Sequence, residues 1–156
     1  MFNLTEKENS EFNNQINYLL NDDNIKKMKS YIQHGNTNTY AHVINVAKLS
    51  FIINKKLNLH CDTDSMIKGA MLHDFYLYDW HEKDEERDKK YGLHGFSHPE
   101  VSLTNAKKYF DINENEENII RNHMWPLTIT HIPKSKEAWV VCIADKIVSL
   151  IETFKR

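Results

Sequence analysis

The stretch Ala70-Met71-Leu72-His73-Asp74-Phe75-Tyr76 constrains this chain more than any other. Small and apolar residues lead straight into a histidine beside an aspartate, and aromatic residues follow, so the pattern predicts two metal-competent side chains inside a buried helix. Burying a carboxylate without a partner costs several kcal/mol, so such a group is protonated, paired with a cation or bound to a metal. A metal accounts for both residues at once. Adjacent helical positions lie about 100° apart around the axis, and a carboxylate can swing toward an ion that the neighbouring imidazole also reaches. On its own a His-Asp dipeptide reads as chance; its weight comes from the rest of the chain.

The 156 residues are expected to form one domain over 1–156, with N-terminal helices in 1–35 packing on a metal-binding core in 39–156. A formal net charge of -2 leaves no basic excess for nucleic acid. Cys61 and Cys142 are far apart, with no Cys-x-x-Cys pair, and read as two reduced thiols of a cytosolic protein. The start, Met1-Phe2-Asn3-Leu4-Thr5-Glu6-Lys7-Glu8, has no apolar run of signal-peptide length, and no later segment reaches bilayer length. A cytoplasmic protein without a membrane partner is the expectation. The sequence sets no oligomeric state.

Four glycines, three prolines and apolar residues at three- and four-residue spacing predict an all-α chain. Ser10 is expected to cap a first helix with Phe12, Ile16, Leu19 and Leu20 inward, and Asn21-Asp22-Asp23 to stop it and cap a second that ends at Gly35. The third helix carries a buried stripe through Tyr40, Val43, Val46, Ala47, Ser50 and Phe51. Asp62-Thr63-Asp64-Ser65 starts the helix that holds His73 and Asp74. The mixed charges from Glu82 to Lys90 read as a solvated segment, and Gly92 to Pro99 as a loop with Pro99 opening the next helix. Asn113 and Glu116 have capping-box spacing, Trp125-Pro126 ends that helix, and a last one runs from Ser135 through Trp139, Val140, Val141, Ile143, Ile147, Leu150 and Ile151.

Against this pattern His42, His98 and His123 fall at inward helical positions, and Asp145 lies in the apolar run Val140 to Ile151, where Val141, Asp145 and Val148 share a face. An aspartate on a buried face needs a cation, and Lys146 points about 100° away. His42, His73, Asp74, His98, His123 and Asp145 thus converge from five helical segments, as in helical domains that build a metal centre in their core. The ligand set lacks sulfur, which suits Fe, Mn, Co, Ni, Zn or Mg. Four more residues are candidates for holding substrate oxygens: Lys146, Arg121, and the glycine-flanked loop residues His34 and His94. His81 and His131 read as surface residues, His60 as structural.

The order of His42, His73-Asp74 and Asp145 resembles the HD superfamily of metal-dependent phosphohydrolases, across residues from about Thr39 to Lys146. That resemblance implies an all-helical bundle with the metal site in its core. It also implies two divalent ions, with Asp74 bridging both, His42, His73 and Asp145 on one, and His98 and His123 on the other. The implied activity is hydrolysis of a small phosphomonoester or phosphodiester, such as a nucleotide or related metabolite, by a metal-bound hydroxide. Two other uses of the architecture stay open: a diiron oxygenase, and a non-catalytic ligand-sensing domain. Several members carry a Gly-Lys pair a few residues after His-Asp. Here that region is Phe75-Tyr76-Leu77-Tyr78-Asp79-Trp80, which leaves a phosphate contact there without its residues.

Overall fold

Eight α-helices, one 3-10 turn and a two-stranded hairpin make up the computed structural model, which describes residues 3–155. Met1 and Phe2 of the N-terminal reading lie outside the described residues. The all-α expectation holds, with α1 (Glu6–Leu20), α2 (Asp23–Lys26), α3 (Thr39–Lys56), α4 (Thr63–Leu72), α5 (Glu85–Tyr91), α6 (His94–Tyr109), α7 (Glu114–Asn122) and α8 (Lys136–Phe154). No helix is long and apolar enough to cross a membrane among the described residues.

The helix starts follow side chains that satisfy free backbone N–H groups. Asn113 and Glu116 form the expected capping box on α7, Asn38 caps α3, Asp62 caps α4 and Ser135 caps α8. Helix α1 starts earlier than expected. Thr5, not Ser10, is its cap, because Glu8 three residues on closes a second capping box by accepting from the Thr5 N–H at 2.8 Å.

The expected second helix up to Gly35 is the largest misreading. After α2 the chain makes a 3-10 turn, Lys27–Ser30, and then an antiparallel hairpin of β1 (Ile32–His34) and β2 (Thr37–Asn38). Gly35 serves the hairpin, with φ +55°, and a Cβ there would lie 2.8 Å from the Glu152 carbonyl oxygen on α8. Helix α6 also starts sooner than expected, at His94, so Pro99 sits inside it rather than in its first turn.

Helix α3 packs between α4 and α8, and α7 closes the other side against α4 and α8. Phe12, Ile16 and Leu19 of α1 join Val43, Val46, Ala47 and Phe51 of α3, Met66, Ile67 and Met71 of α4, Ile119 and Ile120 of α7, and Val141 and Val148 of α8 in one buried cluster. Burying each large side chain of this kind contributes about 1.5–3 kcal/mol. Helices α4 and α7 approach closely at a glycine. Gly69 lets Ile119 lie where a Cβ would sit 2.7 Å from its Cδ1. This contact sets the ends of α4 and α7 side by side, and both ends carry site residues.

Candidate metal centre

His73 and Asp74 are not inside helix α4 but at its end. Leu72 is the last helical residue, His73 is the C-cap, and Asp74 follows it, all buried. His123 is likewise the C-cap of α7. Ending the helix there frees both histidines to bond their own last turn: His73 Nδ1 donates to Ala70 O at 2.6 Å, and His123 Nδ1 to Ile120 O at 2.7 Å. His98, within α6, repeats the device with Nδ1 donating to His94 O at 2.8 Å. Each bond fixes the ring and leaves Nε2 as the free nitrogen.

These Nε2 atoms meet carboxylate oxygens. On one side of Asp74, His42 Nε2 and His73 Nε2 lie 3.5 and 3.3 Å from Oδ2, and both also approach Asp145 Oδ1, at 3.1 and 3.5 Å. On the other side, His98 Nε2 and His123 Nε2 lie 3.1 and 3.5 Å from Oδ1, and 2.9 Å from each other. The structure therefore gathers all six candidate ligands in two groups, His42-His73-Asp74-Asp145 and Asp74-His98-His123, that share Asp74.

Two observations fit these groups to metal ions. Ligand atoms held about 2.0–2.2 Å from one ion lie about 3.0–3.5 Å apart, which is the spacing found here. The second is chemical. With the Nδ1 protons of His98 and His123 committed to carbonyls, their Nε2 lone pairs face each other and a carboxylate oxygen, an arrangement of acceptors only. Burial, outweighing the pull of Asp74, holds His123 down to about 4, so a proton is a poor filler. His73 Nε2 and Asp74 Oδ1 are also buried with no hydrogen-bond partner, and such orphaned atoms need a cation.

In the first group protons can stand in for a metal. Burial opposes it, but hydrogen bonds with Asp145 and Glu152 raise His42 to about 9. His73 is raised too, against its burial, by Asp74 and Asp145. Both aspartates are correspondingly lowered despite burial, Asp74 chiefly by the charge of His73 and Asp145 by its bond with His42.

A cavity of about 400 Å³ opens onto both groups. Three of the four expected substrate-side residues line it. His34 sits on β1 with its ring 5.3 Å from His42. His94, at the start of α6, lies between Trp80 and His98, stacked on both, and shares a 2.8 Å hydrogen bond with the Tyr78 hydroxyl. Lys146 reaches the rim, where its ammonium donates to His123 O at 2.6 Å and lies 3.8 Å from Asp145 Oδ2. Arg121 does not join them. It pairs with Glu100 and Glu117 and borders a separate groove, because α7 turns it away from the helix face that carries Ile119, Ile120 and the buried core. His60 is exposed, with φ +56°, so it is a turn residue rather than a packed one.

Two site residues escaped the sequence reading. Glu152 accepts from His42 Nδ1 at 2.7 Å and from Asn45 Nδ2 at 2.9 Å, so a carboxylate orients this histidine where a carbonyl orients the others. Its signal was present: it lies two turns after Asp145 on the same buried face of α8. Gln33 donates to Asp74 from the hairpin and accepts from Tyr76, and no periodicity could have found it in a segment read as helix.

An all-helical core with two buried His/Asp groups sharing one carboxylate defines a helical domain fitted to hold metal ions. The model of the HD domain family matches residues 39–150, and the chain belongs to that family, whose members are generally metal-dependent hydrolases. No curated protein and no solved structure matches the chain.

Proposed function

We propose that the chain hydrolyses a small phosphomonoester or phosphodiester, a nucleotide or related metabolite, with two divalent ions held as His42-His73-Asp74-Asp145 and Asp74-His98-His123. The observation that carries this reading is that both groups, joined through Asp74, face one cavity of a size to take such a molecule. The ions, when bound, supply Lewis-acid activation of water and neutralise charge on the phosphoryl oxygens.

The chain's own residues supply orientation and exclusion of water. Burial lowers His94 to about 3, so its imidazole is neutral at physiological pH. Burial raises the Tyr78 hydroxyl to about 12, which keeps it protonated. Tyr78 then donates to His94 Nδ1, and His94 offers Nε2–H to a substrate oxygen. Lys146 at the rim provides the one lysine or arginine cation among the residues that border the cavity, held there by its bond to His123 O. Trp80, Met124, Pro126 and Leu127 wall it with apolar surface suited to a base or ring.

The test is a panel of phosphoesters offered to apo protein reloaded with Mn²⁺, Co²⁺ or Ni²⁺. Release of phosphate or a nucleoside monophosphate, stopped by chelator, is the expected result. Silence across the panel, with two bound irons and oxygen uptake on adding a polyol, would replace this reading with an oxygenase.

A further inference from the structure

Helix α8 is apolar on both sides. Its inward face carries Val141, Asp145, Val148 and Glu152 to the core and the candidate metal centre. Its outward face carries Trp139, Ile143, Ile147, Leu150, Ile151 and Phe154, which are between 36% and 79% exposed. Apolar surface on a second face of a helix is ordinarily covered by another element. Residues 143, 147, 150 and 154 alternate spacings of four and three, the repeat by which one helix presents a continuous seam to another. The exposed parts of these six side chains amount to about 600 Å², at the upper end of the largest apolar patch on a typical monomer.

We propose that this face binds a second copy of the chain, α8 against α8 and antiparallel, about a two-fold axis near Ile147. The occupant follows from the composition of the seam. It is self-complementary about Ile147, with Ile143 four residues before and Leu150 and Ile151 three and four after, and with aromatic residues at its ends, Trp139 and Phe154, eight before and seven after. Antiparallel pairing therefore sets Trp139 of each copy against Phe154 of the other, and the helix dipoles oppose.

Charge gives no reason to prefer a charged partner. From Trp139 to Phe154 the only charged side chain at the edge of the seam is Lys146, and its ammonium is already bonded to His123 O. The area also fits: about 600 Å² from each copy gives roughly 1,200 Å², the lower bound of a stable specific interface. Trp139 is braced for the contact by Trp125, whose ring packs on it edge-on at 5.0 Å.

The test is sedimentation of the full chain beside Ile147→Glu and Leu150→Glu. Both positions are solvated in the single chain, so the variants should keep the helical circular dichroism and thermal transition of the wild type. Wild type should sediment at twice the chain mass, and each variant as a monomer, with dimerisation weakened ~100-fold by a charge forced into an apolar contact. Direction is read by oxidation of single cysteine variants in a background lacking Cys61. Ile147→Cys should cross-link to itself, and Phe154→Cys only to Trp139→Cys when the two are mixed. A wild-type monomer at every concentration, a dimer that survives both glutamates, or self-linking of Phe154→Cys, with or without that of Ile147→Cys, would overturn the proposal.

Discussion

Gln33 donates a 2.6 Å hydrogen bond from Nε2 to Asp74 Oδ2, across 41 residues of sequence. Its Oε1 is held in turn by the hydroxyls of Tyr76 and Thr39, so the amide cannot rotate freely. The consequence is that the plane of the carboxylate shared by both His/Asp groups is set from outside them. Replacing Gln33 with Met keeps the volume and removes the bond. Affinity for divalent ions should fall about 10- to 100-fold, while the unfolding free energy changes by about 1–3 kcal/mol for the unpaired Tyr76 hydroxyl, since Thr39 keeps its bond to Tyr31 O. Titrating apo protein with Co²⁺ and following its absorption measures the first; an unchanged binding isotherm would remove Gln33 from the site.

Gln33 also marks where the sequence ceased to be legible. Ligand types fixed by periodicity on long helices were readable, because an Asp or His on an apolar face of α3 or α8 has few alternative explanations. The hairpin was not, since Ile32 and Tyr31 continue a helical spacing from Ile25 and Met28, and only the αL demand at Gly35 and the close approach of α8 decide against a helix. Arg121 failed for a related reason. Sequence places it one residue after Ile120, but the charge partners that hold it outward, Glu100 and Glu117, lie on two different helices.

The shared position of Asp74 separates the ligands by stoichiometry. Asp74→Ala should abolish binding of both ions, whereas His98→Ala and His123→Ala should each lower the metal count toward one with the fold retained. Elemental analysis of protein purified without chelator reads the count. Full metal content in Asp74→Ala would show that the two groups do not share a ligand.

Glu152 holds His42 through Nδ1, and its carboxylate is one reason His42 stands at about 9. Glu152→Gln keeps an acceptor at that place but withdraws the charge. Affinity of the first group should drop about 10-fold, and the His42 resonance in apo protein should titrate below its wild-type value. An unshifted titration would mean that Asp145 alone sets the proton on His42.

Metal and protons compete for the first group, which gives a pH dependence with a definite sign. His42 is raised from 6.5 to about 9, so in apo protein its contribution to stability is complete below 6.5 and is lost as pH rises through 9. Asp74 and Asp145 are lowered from 3.8, so theirs is present above 3.8 and lost as pH falls further. Burial lowers His34, His94 and His123 from 6.5, so protonating them in the unfolded chain weakens the fold as pH falls below that value, and apo protein should therefore be most stable near pH 6.5. Ion binding needs neutral imidazoles, so it should release protons and strengthen toward pH 9. The gap in Tm between loaded and apo protein should widen from pH 6 to 9; a constant gap would mean that His42 is neutral before the metal arrives.

Gly69 offers a way to disturb the site without touching it. A Cβ there would lie 2.7, 2.8 and 2.9 Å from Cδ1, Cγ2 and Cβ of Ile119, and the last of these is fixed to the α7 backbone, so the side chain cannot simply swing aside. Helix α4 must then move off α7. Alanine gains about 1 kcal/mol of helix propensity over glycine, against an overpacking cost of about 1–3 kcal/mol, so Gly69→Ala should lose up to about 2 kcal/mol of stability. The geometric effect should be larger than the thermodynamic one. Asp74 follows the end of α4 and His123 caps α7, so their Oδ1–Nε2 approach of 3.5 Å should open, and the Asp74-His98-His123 group should lose its ion before the other group does. Adding Ile119→Val would remove Cδ1, the nearest of the three atoms, and should restore part of the second ion's affinity even though the core has lost a methyl group. Metal counts on the single and double variants decide it: a Gly69→Ala protein that binds two ions as tightly as wild type would mean that the α4–α7 spacing does not govern the centre.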